Sequence, residues 1–296
     1  MEIDGAVILD TFAEAFPVWV SRVIITASTK EWAQRAAAAA TGFASSRIGC
    51  PCEAGIEREL PRSGTPDGRP GVAILICGEK KEMKLHVAWR ISQCILPVPT
   101  ASAFDGLPEA RDRFYIRMHY FGDSFEERCM IGGRPCWKIP VMAGEYVGEE
   151  RFGTVRGMAG GNFLIMAGNQ ASALAAAESA AGTIAGVPGV ITSFPGGVVA
   201  AGSKVGSGNY RFPMPASTNH RFCPTLKSRI DDSEVPDDVG AIYEIVINGI
   251  DEASVRSAMK TGIKAATATG KVRYIGASNF GGALGPYRLQ LHDLFR

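Results

Sequence analysis

Hydrophobic and polar positions follow one another along the chain in blocks that predict strands and amphipathic helices in a repeated order. Residues 22–42 read RVIITASTKEWAQRAAAAATG, and residues 162–182 read NFLIMAGNQASALAAAESAAG. Each copy is a short apolar strand, a polar cap, an Ala-rich helix and a glycine stop. At a fixed offset of 140 residues, seven of the 21 positions are identical. This echo predicts two related lobes.

The helix signals in both halves are local and specific. Ser28 and Glu31 fit a capping box that opens the first helix, and Gly42 suits its end. Asn169 is the corresponding cap in the second copy, and Asp251 precedes a further amphipathic helix. The remaining apolar blocks predict the strands GVAILICG, RFYIRMHYF, AIYEIVING, KVRYIGASNF and YRLQLHDLF, and the helix KKEMKLHVAWRISQCIL.

Each half therefore reads as β-α-β-β-α-β, which is the split βαβ arrangement of ferredoxin-like folds. The predicted class is α+β, with two ferredoxin-like lobes whose mostly antiparallel sheets carry helices on one face. We place the N-terminal lobe at residues 1–147 and the C-terminal lobe at residues 148–296. Long Gly- and Pro-rich loops at residues 193–212 and 215–238 make the C-terminal lobe the candidate carrier of a binding cleft.

Charge and composition narrow the functional class. With 31 basic and 30 acidic residues, the chain has no bulk charge to hold nucleic acid or an anionic membrane surface. No apolar run approaches the roughly 20 residues that cross a bilayer. The N-terminus carries Glu2 and Asp4 where a signal peptide would be basic, so we expect a cytoplasmic protein.

Cysteines and histidines predict no metal site. The seven cysteines are scattered, and Cys50 and Cys52 form CPC rather than the CxxC of a zinc site. Cys50 as a thiol nucleophile is a minor alternative. The four histidines show no HxH or HExxH spacing, and only His220, in the polar loop ASTNHRF, is a candidate ligand-binding residue.

The stretch FPGGVVAAGSKVGS at residues 194–207 raises the question of a phosphate loop. Gly197 and Gly202 have P-loop spacing, but Ser203 and Lys204 follow in reversed order, and the Gly- and Pro-rich continuation predicts no helix. We therefore interpret the segment as a substrate loop, in which Gly196, Gly197, Ser203 and Lys204 are candidate binding residues.

Glu244 is the strongest candidate for acid/base chemistry. In the strand IYEIVI it shares a face with Ile242 and Val246, and a carboxyl among aliphatic side chains has a raised pKa. The alternative is an edge strand with Glu244 in water. Glu14 and Glu53 also lie among apolar or small residues, and we expect them to be structural hydrogen-bonding groups.

Two further glycine-rich segments have a similar character. GMAGGNF, at residues 157–163, precedes a strand and so lacks the strand-to-helix turn of a Rossmann site. Its glycines predict a close backbone approach to a ligand or a neighbouring subunit. ASNFGGALG, at residues 277–285, presents Asn279 as a hydrogen-bonding candidate.

Several of these motifs together resemble one family. DTFAEAFPVWVSRVIITA, TPDGRPG, GMAGGNF, FPGGVVAAGSKVGS, CPTLK, DSEVPDDV, YEIVING and LQLHDLF are similar to formylmethanofuran:tetrahydromethanopterin formyltransferases, in consistent order from residue 2 to residue 295. The resemblance implies reversible formyl transfer between the amino nitrogen of a furfurylamine carrier and a ring nitrogen of tetrahydromethanopterin. It also implies two ferredoxin-like lobes and assembly into dimers or tetramers.

The resemblance assigns roles to residues. The family's acid/base glutamate falls on Glu244 through the match to YEIVI, and no metal or tightly bound cofactor is implied. The neutral composition resembles that of the homologue in methylotrophic bacteria, a subunit of a formyltransferase/hydrolase complex that serves formaldehyde oxidation. Hydrolase subunits are therefore expected partners.

Two other functions remain open at this stage. The chain could be a non-catalytic scaffold for hydrolase subunits, although a scaffold has no need of Glu244 and the complete cleft loops. It could also bind a flavin or nucleotide through a Gly-rich loop, which the missing strand–loop–helix context disfavours.

Overall fold

A computed structural model describes residues 1–296. Its strands are β1 (Glu2–Ile3), β2 (Ala6–Ile8), β3 (Phe12–Thr26), β4 (Glu53–Leu60), β5 (Gly71–Gly78), β6 (Ser102–Asp105), β7 (Asp112–Tyr115), β8 (Glu127–Ile131), β9 (Arg134–Val141), β10 (Gly144–Gly148), β11 (Arg151–Ala167), β12 (Val190–Ile191), β13 (Ser203–Val205), β14 (Ala216–Thr218), β15 (Ala241–Gly249), β16 (Val272–Gly276) and β17 (Tyr287–Gln290). The α-helices are α1 (Lys30–Thr41), α2 (Lys80–Arg90), α3 (Gln170–Ile184) and α4 (Glu252–Thr267).

The chain divides into two compact units. The N-terminal unit comprises Val18–Gly157, and the C-terminal unit comprises Met1–Pro17 together with Met158–Arg296. The sequence-based boundary after residue 147 assigned the first 17 residues to the N-terminal lobe. They fold with the C-terminal unit because β2 pairs with β16 and the start of β3 pairs with β17, contacts across more than 260 residues that no local pattern encodes.

The N-terminal unit has the predicted ferredoxin-like core. Its antiparallel strands lie in the order β4, β5, β3, β6, with α1 and α2 inserted between strands in the β-α-β-β-α-β sequence. Both helices pack on this sheet: Ala33 and Ala36 of α1 and Met83 of α2 belong to one core with Ile25 and Ile74. Three further strands, β10, β9 and β8, extend the sheet beyond β6.

The C-terminal unit repeats this arrangement. Its strands lie in the order β12, β15, β11, β16, with α3 following β11 and α4 following β15. Apolar side chains of both helices, such as Ala176 and Met259, pack with Phe163, Ile245 and Ile247 of the strands beneath them. The internal echo therefore corresponds to two copies of one supersecondary unit, and the predicted fold class is confirmed.

Two local predictions need correction. Helix α1 is capped by Thr29, whose hydroxyl accepts the Trp32 N–H at 3.3 Å, and Ser28 instead bonds Thr100. The 140-residue offset maps Asn169, the observed cap of α3, onto residue 29. RFYIRMHYF is not one strand: β7 ends at Tyr115 because Arg117 has a left-handed φ of 55°, and a 3-10 turn follows.

The other helix signals are confirmed. Gly42 ends α1, Asp251 caps α4 through the Ser254 N–H, and the apolar positions of α4 are buried. None of the helices is both long enough and apolar enough to cross a membrane.

Two helical glycines are expected to respond to alanine in opposite directions. A Cβ at Gly262 of α4 would lie 2.6 Å from Ile184 Cδ1 and 2.9 Å from Phe163 Cζ, whereas a Cβ at Gly182 of α3 would meet no atom within 4 Å. Gly262→Ala should therefore lower the free energy of unfolding by about 1–3 kcal/mol through overpacking. Gly182→Ala should raise it by roughly 0.5–1 kcal/mol through helix propensity. Urea unfolding of both variants measures the two effects, and equal signs would contradict this account of the α3–α4 contact.

Candidate functional site

Glu244 lies on the face of the C-terminal sheet that is opposite the helices. Its neighbours Ile245 and Ile247 point into the core under α3 and α4, so Glu244 shares the other face with Ile242 and Val246, as the alternation of the strand predicted. On that face Ile242 packs with a small apolar cluster that includes Leu164, directly opposite Glu244 in β11. The carboxyl is therefore surrounded largely by apolar groups.

Burial raises the pKa of Glu244 to about 7, from an ordinary value of 4.5. Desolvation is the sole cause, since no hydrogen bond or ion pair stabilises the carboxylate. The residue nevertheless retains part of its surface exposed to solvent. A carboxyl that is desolvated yet reachable, with a pKa near neutrality, can both accept and donate a proton.

The glycine-rich segment after residue 193 passes directly over this carboxyl. Val199 and Glu244 form an isolated antiparallel bridge, with N–H to O distances of 2.8 and 3.0 Å in the two directions. Three residues later, a Cβ at Gly202 would lie 3.9 Å from Oε2 of Glu244. The absence of a side chain at Gly202 therefore keeps the approach to the carboxyl open.

The same segment leads into a polar pocket of about 290 Å³ in the C-terminal unit. One wall comes from β13 and the loop after β14, and the other comes from the segment between β16 and β17. Lining residues are Lys204, Asn219, Arg221, Phe222, Glu234, Ala277, Asn279, Phe280 and Gly281. Two predicted binding residues, Lys204 and Asn279, therefore face one pocket although they are distant in sequence.

A chain of polar side chains stands behind Lys204. Its ammonium donates to His220 Nδ1 at 2.6 Å, and His220 Nε2 lies 3.4 Å from Asp232 Oδ2. With Nδ1 as the acceptor, the imidazole is neutral and carries its proton on Nε2. No carboxylate pairs with Lys204, so its charge is available to a ligand, whereas Arg221 is paired with Glu234 at 2.5 Å.

Other predicted site residues lie outside this pocket. Gly196 and Gly197 form a 3-10 turn with φ of 65° and 76°, and a Cβ at Gly197 would meet Thr192 and Ala181 at 2.7 and 2.9 Å. Both shape the start of the segment that reaches Glu244. Ser203 is exposed in β13, opposite Thr218.

Sequence reasoning did not single out Asn162, Asn219, Arg221 or Phe222. Asn162 forms two hydrogen bonds with the backbone of Ser278, and the others line the pocket beside His220. The glycines of GMAGGNF approach a backbone as expected, but it belongs to this chain: Gly160, with φ of 89°, lies against Glu14 and Phe16. Proximity to His220 in HRF was the only available signal for the pocket residues.

A larger groove of about 1100 Å³ lies in the N-terminal unit, lined mainly by apolar side chains such as Leu96, Val98 and Met142. None of the predicted site residues lines it. The fold also brings together no group of three or more His, Cys, Asp and Glu side chains suited to a metal ion. The pocket beside Glu244 is therefore the candidate site.

Comparison with known families agrees with this arrangement. Residues 1–141 match the sequence profile described as "Formylmethanofuran-tetrahydromethanopterin formyltransferase", and residues 144–294 match the profile described as "FTR, proximal lobe". The chain belongs to this formyltransferase family. This membership confirms the family and the formyltransferase activity expected from the motifs.

Full-length relatives of the family extend the comparison. Formylmethanofuran–tetrahydromethanopterin formyltransferase of Methanocaldococcus jannaschii is 54% identical, with 100% of both chains covered. The solved Methanosarcina barkeri formyltransferase is 51% identical, with a TM-score of 0.96 and both chains fully covered. A chain of the formyltransferase/hydrolase complex of Methylorubrum extorquens, solved with methylofuran, is 40% identical at a TM-score of 0.94, covering 100% of this chain and 99% of that one.

The buried state of Glu244 should appear as a pH-dependent stability difference between the formyltransferase and its Glu244→Gln variant. Below about pH 4.5 the carboxyl is protonated in both folded and unfolded chains. As pH rises from 4.5 to 7 the unfolded chain loses the proton first, so the wild-type protein loses stability. At pH 8 the Gln variant should be more stable by about 1–3 kcal/mol, with no such advantage at pH 4.5.

Urea unfolding at the two pH values measures this difference. Glu178→Gln, at an exposed position of α3, is the matched control and should show no divergence with pH. A Gln variant at residue 244 that is less stable than the wild type at pH 8 would contradict an uncompensated buried carboxyl.

Proposed function

We propose that Glu244 is the acid/base residue of formyl transfer between the amino nitrogen of a methanofuran-type carrier and a ring nitrogen of tetrahydromethanopterin. The observation that carries this proposal is the unpartnered carboxyl of Glu244, whose pKa of about 7 lies beside an open glycine segment and a polar pocket. Relatives named for this reaction support it.

The chemistry requires such a group. An amine that attacks a formamide forms a tetrahedral species, so a proton must leave the attacking nitrogen and another must reach the departing nitrogen. The carboxylate of Glu244 accepts the first proton, and the resulting carboxylic acid donates to the second nitrogen. Backbone N–H groups of the segment around Gly202 are the proposed donors to the oxyanion, because this segment passes the carboxyl.

Lys204 is proposed to bind an anionic or polar part of a carrier. It lines the pocket, carries a charge that no carboxylate neutralises, and is held by His220. Asn279, from the opposite wall, supplies an amide for hydrogen bonding. Ser203, Gly196 and Gly197 are proposed to contribute through the shape and exposed edge of the same loop.

The wider setting follows the relatives. We propose that both carriers act as substrates, without a metal or tightly bound cofactor, in cytoplasmic one-carbon metabolism. A homodimer or homotetramer is proposed, with hydrolase subunits as further partners on the example of the Methylorubrum complex. The methanogen relatives reported above are more similar to this chain than the bacterial one is, so formate-releasing formaldehyde oxidation is the part that most needs testing.

Formyl transfer by the purified chain tests the function directly. The pterin absorbance is followed as formyl is exchanged with a furfurylamine carrier, with and without hydrolase subunits. Glu244→Gln should lower kcat by about 10²–10⁴-fold while the protein stays folded, since a positioned general acid/base contributes this much. A fully active Gln variant would overturn the role of Glu244, and a wild-type chain inactive with its partners would favour the scaffold.

The pH dependence provides an independent signature. For transfer from the formylated furan carrier to the pterin, Glu244 acts first as a base, so kcat/KM should rise with pH through an apparent pKa near 7. This limb should be absent from the residual activity of Glu244→Gln. An unchanged limb in the variant would assign the ionisation to another group.

Lys204→Met should weaken carrier binding rather than chemistry. Loss of an unpaired ammonium from the pocket should raise KM for one carrier by about tenfold, with kcat changed less than about threefold. Lys271→Met removes the same charge from an exposed position and serves as the control. Equal KM values in the two variants would show that Lys204 acts only through net charge.

A further inference from the structure

The second wall of the pocket is a segment with little regular structure. Residues 277–285 connect β16 to β17 and include the lining residues Asn279, Phe280 and Gly281. Gly281 and Gly282 have positive φ values of 71° and 74°. A glycine-rich connection of this kind gains no order from a helix or strand ladder, so other contacts must hold it.

Glu14 supplies those contacts. This residue of β3 is 2% exposed, and its carboxylate accepts four backbone N–H groups of the segment. Oε2 bonds Phe280 at 2.7 Å and Gly282 at 3.0 Å, and Oε1 bonds Leu284 at 2.6 Å and Gly285 at 2.5 Å. Burial opposes ionisation, but the four bonds outweigh it and lower the pKa of Glu14.

The fit between the segment and Glu14 leaves no slack. A Cβ at Gly285 would lie 2.5 Å from the Ala15 carbonyl oxygen and 2.9 Å from Cγ of Glu14. The backbone therefore curls around the carboxylate with its N–H groups pointing inward, as in an anion-binding concavity. Here the anion is a side chain of the same unit rather than a ligand.

Two amides hold the start of the same segment. Asn162 donates to the Ser278 carbonyl at 3.0 Å and accepts the Ser278 N–H at 2.7 Å. Asn279 donates to the Phe12 carbonyl at 3.1 Å, and its own Oδ1 accepts the Gly281 N–H. The three wall residues thus lie between an anchored start and the part that Glu14 holds.

We propose that Glu14 is a positioning residue for formyl transfer: it fixes Asn279, Phe280 and Gly281 as a preformed wall of the carrier pocket without touching the carrier. The inference rests on the proposed function of that pocket. Glu14 itself is not among the lining residues, so its effect must pass through the segment. A wall that is ordered before binding spares the carrier the entropic cost of ordering it.

A purely structural role predicts different behaviour. In that case loss of Glu14 would lower stability and the amount of folded protein, and the folded fraction would bind carriers as before. A positioning role predicts a selective rise of KM, because a loosened wall presents a binding-competent arrangement only part of the time. The split between KM and kcat therefore separates the two roles.

Glu14→Gln is the primary variant, because it keeps the shape while replacing an acceptor of four N–H groups with an amide that also donates. KM for at least one carrier should rise by about tenfold or more, with kcat changed less than about threefold. Hydrogen–deuterium exchange of the amides at residues 280–285 should become faster in the variant. Exchange is read without any substrate, so it does not depend on the transfer assay.

Asp105→Asn is the matched control. Asp105 is fully buried in the N-terminal unit, accepts the N–H groups of Leu107 and Gly153, and pairs with Arg113 at 2.8 Å. Its loss should destabilise the protein without changing the KM of either carrier. If Glu14→Gln does not fold, Gly282→Ala perturbs the same segment, since φ is 74° there and a Cβ would meet the Arg288 guanidinium.

The outcomes separate the two levels of inference. A KM-selective defect with faster exchange, in Glu14→Gln or in Gly282→Ala, supports the positioning role. Faster exchange with unchanged KM values would overturn it, as would equal KM changes in the Asp105→Asn control. A wild-type chain that neither transfers formyl nor binds either carrier would overturn the proposed function itself, whatever the exchange result.

Discussion

Desolvation of one carboxyl governs the arrangement of the C-terminal unit around its pocket. Helices α3 and α4 cover one face of the sheet, which leaves the other face to a long loop rather than to regular structure. Glu244 projects on that second face, where the strand bridge at Val199 and the bare backbone of Gly202 exclude much of the water but leave an approach. The raised pKa follows from this covering alone.

The unit treats its two buried acids in opposite ways. Glu14 receives four backbone N–H groups and has a lowered pKa, so it remains an anion that organises a loop. Glu244 receives none, and its pKa is raised. The difference is the hydrogen bonds that each environment provides, since both are removed from water. One carboxylate is thereby suited to structure and the other to proton transfer.

The repeated supersecondary unit explains why function is concentrated in one half. Both units contain the same βαββαβ core, but only the C-terminal one carries the insertions between β12 and β15 and between β16 and β17 that build the pocket. The N-terminal unit instead extends its sheet with β8, β9 and β10. A shared scaffold with different insertions is the usual way in which a fold acquires a site.

Local patterns in the sequence were sufficient for the fold class, the helix limits and the orientation of Glu244, because strand alternation and capping depend on neighbours a few residues away. The 140-residue echo even contained the correct cap, Thr29, which the choice of Ser28 overlooked. The tertiary structure alone decided the placement of residues 1–17, the contact between Lys204 and His220, and the partners of Glu14. These contacts join backbone and side chains across 16 to 271 residues. No periodicity reports such pairs, since they arise only when the strands are assembled into sheets.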